Sequence, residues 1–308
     1  MRGKKIHFII NPRSAGGLTG RNWHELESSI RKHIGPFAYS FTDAPGSGVR
    51  LAGRALGERP DVLAVVGGDG TISEVVTGYM QSPGRLRPPI VVINQGTGGD
   101  FSRTLGVPTD LHLALDTIRH GRDVMVDVGK IAYEDARGEP RERHFINVAG
   151  CGMAGEVVRA VNSSTKRFGA FSYFLTSATK VFSYRNKHLE MQLDDGRVET
   201  ARTVTLAICN GQFFGGGMQI SPESEITDGS FEVVLIRDWG VLRSLISSRH
   251  LYSGRIASCP GVSVRKARRV MVRSAPGERP ALIDCDGEDV GQTPLTVELL
   301  PGAVPFRI

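Results

Sequence analysis

Residues 67–74 read Gly67-Gly68-Asp69-Gly70-Thr71-Ile72-Ser73-Glu74 and follow the apolar run Val62–Val66. Such an unbroken apolar run fits a strand buried on both faces of a parallel sheet. A glycine loop leading from it into a helix leaves backbone N–H groups at a positive helix end, where a phosphate binds. Thr71 and Glu74 have capping-box spacing and are expected to open that helix. Asp69 is out of place in a pure anion site, because a carboxylate repels phosphate. It implies either a cation between the two or a part in orienting other groups of a phosphoryl-transfer centre. A tight turn that simply requires glycine is the plainer alternative, but it needs neither the acid nor the cap.

A second concentration of acids, Asp284-Cys285-Asp286-Gly287-Glu288, lies near the end of the chain between apolar segments. Crowded carboxylates are costly unless they face water, a metal or a proton-transfer partner. Read in isolation, the segment is equally an Asp-Gly hairpin turn. Phe214–Met218 and Ile226–Gly229 are open in the same way, as plain loops or as parts of a site.

The elements that must position these residues follow from periodicity. Over the first 120 residues strand and helix signals alternate. Ile6–Ile10, Phe37–Thr42, Val62–Val66 and Ile90–Ile93 read as strands. Trp23/Leu26/Ile30/Ile34, Leu51/Ala52/Ala55/Leu56, Ile72/Val75/Val76/Tyr79 and Leu111/Leu115/Ile118 recur at helical spacing. That alternation predicts a doubly wound α/β domain whose ligands sit beyond the strand C-termini. The loops Asn11–Gly17, Gly67–Thr71 and Gly96–Asp100 all fall there. From residue 124 the pattern changes to period two, with strands expected at Val124–Lys130, Leu189–Leu193, Val204–Cys209, Phe231–Ile236, Val270–Val272 and Val297–Leu299. Helices are expected near 166–184 and 240–252, and a charged hairpin loop over Asp135–Arg143. The second domain is therefore a mainly β sandwich or barrel, giving boundaries of 1–123 and 124–295.

The chain has 308 residues, 40% of them hydrophobic, and a net charge of +6 with a pI near 9.3. That balance suits anionic partners such as nucleotides or phospholipid head groups; no motif beyond charge supports nucleic-acid binding. No stretch approaches the roughly 20 apolar residues that span a bilayer. Met1–Lys5 runs into the first strand without a leader pattern, and Cys151, Cys209, Cys259 and Cys285 are scattered, as expected of reduced thiols in a cytoplasmic protein.

Taken in order, Asn11-Pro12-Arg13-Ser14-Ala15-Gly16-Gly17, Gly67–Thr71, Gly96-Thr97-Gly98-Gly99-Asp100-Phe101, Asn210–Met218, Ile220-Ser221-Pro222, Asp228-Gly229 and Asp286-Gly287-Glu288 resemble the diacylglycerol kinase catalytic family of lipid kinases, which also includes sphingosine and ceramide kinases. The resemblance spans essentially the whole chain. It implies an α/β nucleotide-binding domain, a sandwich-like second domain, an active site in the interdomain cleft, and a last strand (296–308) that returns to the first domain. Carried over by position, Asn11, Pro12, Arg13, Ser14, Ala15, Thr42, Gly67, Gly68, Asp69, Gly70, Thr71, Ile72, Ser73 and Thr97 would contact ATP. Asp69 and Asp100 would lie near Mg²⁺ and the phosphates, with Asp127 in support. Asp228, with carbonyls near Glu225 and Ser230, would form a structural magnesium site. Glu288 would be the general base, with Asp286 close enough to orient it and, together with partial burial, to strengthen it as a base. The family places Asn before the acid of the third loop, where this chain has Gly99.

The implied reaction is ATP-dependent phosphorylation of a lipid hydroxyl, diacylglycerol by default, with ceramide, a sphingoid base or another lipid alcohol as further acceptors. NAD kinase, which also uses a Gly-Gly-Asp-Gly-Thr loop, is the alternative enzyme, and a nucleotide- or lipid-sensing module the alternative outside catalysis. A lipid acceptor requires transient docking on a membrane. The aromatic and basic residues of 166–188, including Lys166, Arg167, Phe168, Phe171, Tyr173, Phe174, Lys180 and Phe182, form either an interfacial helix or a core helix. Arg265-Lys266-Ala267-Arg268-Arg269 reads as a solvated strand end, with membrane attraction the lesser alternative. A homodimer is compatible with all of this.

Overall fold

The computed structural model describes residues 4–82, 84, 87–96, 98–163 and 184–308. The chain forms two compact units, residues 1–128 with 301–308, and residues 129–300. The change of pattern at 124 marks the start of a strand, Asp123–Glu134, that begins in the first unit and runs on into the second.

In the first unit, strands β1 (Ile6–Ile10), β2 (Ala38–Phe41), β3 (Val62–Gly67) and β4 (Ile90–Asn94) lie in the order β2-β1-β3-β4, all parallel. The end of the chain's final strand joins β4, with Phe306 opposite Ile90. β1 and β3 are buried along their whole length and β2 at the edge is not, which is why the central strands read as unbroken apolar runs. The helices are α1 (Leu18–Arg21), α2 (Trp23–Ile34), α3 (Ser47–Gly57), α4 (Asp69–Gln81), α5 (Asp100–Leu105) and α6 (Leu111–His120). α2 carries Arg31, Lys32 and His33 in its last turn and stops at Gly35, whose φ of 90° lies outside the helical region. Asp110 caps α6 by accepting from the N–H groups of His112 and Leu113.

The expected capping box at α4 does not form. The helix starts at Asp69, two residues before Thr71, so Thr71 is already inside its first turn. Glu74 instead accepts from Gly46 N (2.7 Å) and Gly48 N (2.8 Å), serving the N-terminus of α3.

The second unit contains, after the long strand β5 (Asp123–Glu134), β6 (Pro140–Phe145), β7 (Val148–Gly152), α7 (Met153–Ser163), β8 (Lys187–Leu193) and β9 (Glu199–Cys209). A short hairpin, β10 (Phe213–Phe214) and β11 (Met218–Gln219), precedes β12 (Phe231–Arg237), α8 (Val241–Ser247), α9 (Arg249–Tyr252), β13 (Val262–Ala267), β14 (Arg269–Ser274), β15 (Leu282–Cys285) and β16 (Glu288–Arg307). The antiparallel pairings run β9–β7–β15–β16–β14–β8 and back to β9, a closed circuit. β12 and β13 extend it from β9. Closure leaves no free edge within the circuit and encloses one apolar core, including Phe145, Cys151, Leu206, Ile208, Phe231, Ile283 and Val297. The helix expected near 166–184 lies, except for Tyr184, outside the described residues; α7 was not expected from periodicity.

Candidate active site

The three loops of the first unit follow the C-terminal ends of β1, β3 and β4. Asn11 ties the first to the second: its Nδ2 donates to Thr71 Oγ1 (3.0 Å), while its Oδ1 accepts from Arg13 N (2.9 Å). Ser14 is buried and donates through Oγ to Asn11 O (2.7 Å). Asp69 ties the second to the third. One carboxylate oxygen accepts from Asp100 N and the other from Phe101 N, both at 3.0 Å, so the acid sits at the N-terminus of α5 as well as of α4. The second and third loops touch through Gly68 and Gly96, where a Cβ on Gly96 would come within 2.5 Å of the Gly68 Cα. No other residue fits there.

Both alternatives for Asp69 are thereby narrowed: it orders the third loop, and each oxygen still has a lone pair free for a cation. Asp100 is 5% exposed and accepts from Arg103 Nη1 (2.8 Å). Asp127, expected to support the phosphates, is buried and accepts from Gly302 N (2.6 Å), so it anchors the returning end of the chain. Thr42 donates its N–H to Ile10 O (2.8 Å), Pro12, Arg13 and Ala15 lie on the first loop, and the side chains of Ile72 and Ser73 are buried in α4. Any contact these two make with a nucleotide would therefore be through the backbone of the first turns of α4. Thr97 lies outside the described residues. Gly99 has a φ of 65°, and the Asn94 amide occupies the space its Cβ would take, 2.5 Å away. Asn94 thus places an amide beside a position where the family's Asn is missing.

In the second unit, Asp286 faces the entry to β7. Its carboxylate accepts from the N–H groups of Ile146 (3.0 Å), Asn147 (3.0 Å) and Val148 (3.1 Å). Asn210 donates from Nδ2 to Ile146 O (2.7 Å), and the N–H groups of Asn210 and Gly211 donate to Asn147 O. Glu288, at the start of β16, pairs with Arg143 Nη1 at 2.7 Å; its side chain is 45% exposed and that of Arg143 18%. Both acids bear on Arg143, and their described hydrogen-bond partners differ. Asp286 is turned to backbone donors, and the described partner of Glu288 is Arg143. Burial works against the charge of Arg143, but Glu288 and Asp286 hold its pKa above the ordinary value. Arg143 was expected in a loop; it lies on β6 opposite Ile131, two residues from buried Phe145, and that period-two placement was the signal available for it. Burial also pushes the Asp284 carboxyl up to about 7, aided by the neighbouring acids against a hydrogen bond from Gly287 N (2.9 Å).

In the loop expected to hold structural magnesium, protein groups surround the Asp228 carboxylate. Lys266 Nζ lies 2.6 Å from Asp228 Oδ2, and Ser230 donates its N–H and hydroxyl to the same carboxylate. Against desolvation, these partners hold the Asp228 carboxyl below its usual range. Glu225 O accepts from Asp228 N, and Gly229 O from Arg268 Nε. In this arrangement the Lys266 ammonium is the cation beside the Asp228 carboxylate, and among the described residues no group of three acidic, His or Cys side chains gathers there. Of the basic run, Arg265 pairs with Glu199, Lys266 with Asp228 and Arg269 with Glu298, while Arg268 donates to the Gly229 carbonyl.

A model of the diacylglycerol kinase catalytic domain matches residues 5–131, and one of the YegS C-terminal NAD kinase beta sandwich-like domain matches 147–307. The diacylglycerol kinase of Staphylococcus carnosus is 30% identical over 297 residues, covering 94% of this chain and 90% of that protein. That of Staphylococcus saprophyticus is 28% identical over 298 residues, covering 94% and 91%. In fold, the chain is similar to a diacylglycerol kinase structure from Bacillus anthracis str. Sterne, with a TM-score of 0.71 and 21% identity over 99% of this chain and 97% of that one. A parallel α/β unit with interlocked glycine loops, followed by a closed β unit bearing an acid–arginine pair, is thus the build of a kinase, an enzyme that takes its phosphoryl group from a nucleotide. The chain belongs to the diacylglycerol kinase family.

Proposed function

We propose that the protein phosphorylates the hydroxyl of a lipid alcohol, with diacylglycerol as the default acceptor and ATP as the donor, at the cytoplasmic membrane surface. The observation that carries this reading is the Arg143–Glu288 pair: a half-exposed carboxylate, held by a mostly buried guanidinium, can take a proton from an incoming hydroxyl without moving far. The first unit supports the other half of the chemistry. The N-terminus of α4 offers backbone donors to phosphate, and Mg²⁺ carried on ATP would neutralise the phosphates beside Asp69. In the transfer the acceptor oxygen bonds to the γ-phosphorus, the bond to the β-phosphate oxygen breaks, ADP leaves, and the hydroxyl proton passes to Glu288.

The test is transfer of labelled γ-phosphate to a panel of diacylglycerol, monoacylglycerol, ceramide, sphingoid base and NAD in mixed micelles. Labelled phosphatidate is expected, and Glu288→Gln should cut kcat by about 10²–10⁴-fold, the usual weight of a general base. Label in NADP with none in any lipid would replace the acceptor, and full activity of Glu288→Gln would remove the base.

A further inference from the structure

From Trp239 through Gly277 the chain contains no Asp or Glu, while Arg243, Arg249 and Arg255 punctuate its first half. This stretch begins with α8 and α9, which act as one helical arm: the Ser248 between them keeps helical angles (φ −58°, ψ −29°) and donates to Ser244 O. The inner side is anchored, with Trp239, Leu251 and Ile256 packed in an apolar cluster and Arg243 lying 5.1 Å over the Trp239 ring. The outer side carries Leu242, Ile246 and Arg249 at positions i, i+4 and i+7, with Tyr252 beyond. Leu242 is 71% exposed, Ile246 53% and Tyr252 67%. Large apolar side chains at helical spacing and turned to water are costly without a partner.

We propose that this arm is the surface by which the protein docks on an anionic lipid bilayer, inserting Leu242, Ile246 and Tyr252 while Arg249 and Arg255 meet lipid phosphates. Charge selects that occupant. The strand cations of the acid-free stretch are compensated by Glu199, Asp228, Glu190 and Glu298, whereas Arg249 and Arg255 form no ion pair among the described residues. A second copy of the chain meeting the arm face to face would set arginine against arginine. A bilayer of anionic lipid offers both an apolar interior and the opposite charge in the geometry of an interfacial helix. The purpose of docking rests on the lipid-acceptor reading, but docking itself is measured without turnover.

The test is sedimentation of the full chain with phosphatidylglycerol/phosphatidylcholine vesicles and with phosphatidylcholine alone. The parent should bind the anionic vesicles and release in high salt. Leu242→Glu/Ile246→Glu should weaken binding about tenfold or more, and each of Arg249→Gln and Arg255→Gln roughly fivefold. Phosphoryl transfer to a short-chain, monomeric diacylglycerol should be unchanged in all of them. Parent and variants binding equally, no binding by the parent, or a parent dimer that the apolar variants dissociate would each overturn the docking surface. Vesicle binding with no transfer to any soluble lipid would instead count against the kinase acceptor and leave docking standing.

Discussion

Replacing Asp286 with Asn separates a strut from a catalyst. The Asp286 carboxylate takes three backbone N–H groups, from Ile146, Asn147 and Val148, at 3.0–3.1 Å. Asp286 itself has a φ of 50° and donates its own N–H to Val148 O. Asn keeps the shape but has a single acceptor oxygen, so its amide NH₂ must confront at least one of the three donors. A hydrogen bond to a charged group contributes about 1.5–3 kcal/mol, and the bonds that persist weaken to neutral ones, for a total loss of roughly 3 kcal/mol. For a unit of this size that corresponds to a fall in Tm of about 6–12 °C. Calorimetry, with kcat and KM measured well below the transition, reads both effects. The variant should unfold early while retaining far more kcat than Glu288→Gln does. A Tm equal to the parent's, together with a kcat as low as that of Glu288→Gln, would refute the assignment and make Asp286 a group that acts on the reactants.

Asp284, whose carboxyl burial pushes up to about 7 from 3.8, contributes stability that is complete below about pH 4 and lost as pH rises through 7. The full difference is roughly 4 kcal/mol. Urea midpoints between pH 4 and pH 8 should therefore fall for the parent and flatten in Asp284→Asn; parallel curves would show that the group is ionised throughout. Lys266→Met should leave Tm nearly unchanged, as the loss of an exposed pair does. The parent's Tm without nucleotide should not respond to Mg²⁺ or to a chelator, and a drop on chelation would place a metal at Asp228.

What was legible in the sequence is what local pattern encodes. Val62–Val66 and Ile90–Ile93 read as central parallel strands because both faces of each are buried, and Gly67–Thr71 read as a turn from strand to helix because strand, glycines and helix follow in order. What was missed depends on partners remote in the chain. Thr71 and Glu74 have the spacing of a cap, but Gly46 and Gly48, far upstream, capture the glutamate. The ammonium beside Asp228 comes from Lys266, 38 residues later, which no local pattern around Asp228 announces. α5 escaped notice because six residues are too few for periodicity to register, and its start is fixed by Asp69 rather than by a cap of its own.

The acids that the sequence groups as one constellation fall into two physical kinds. Asp69 and Asp286 each accept two or three backbone N–H groups, Asp100 pairs with Arg103, and Asp228 accepts from Lys266 and Ser230. So occupied, Asp69, Asp228 and Asp286 hold chain segments at fixed separation, and protonating them would break those bonds. Each is therefore a poor choice for a group that must gain a proton in every turnover. Glu288 is built differently: its described bond is to a side chain, and nearly half of its surface is open. Protonation there costs one ion pair and no loop. The acid at the start of β16 is the one whose protonation leaves the loops intact, at the expense of its pair with Arg143, and the others fix the loops.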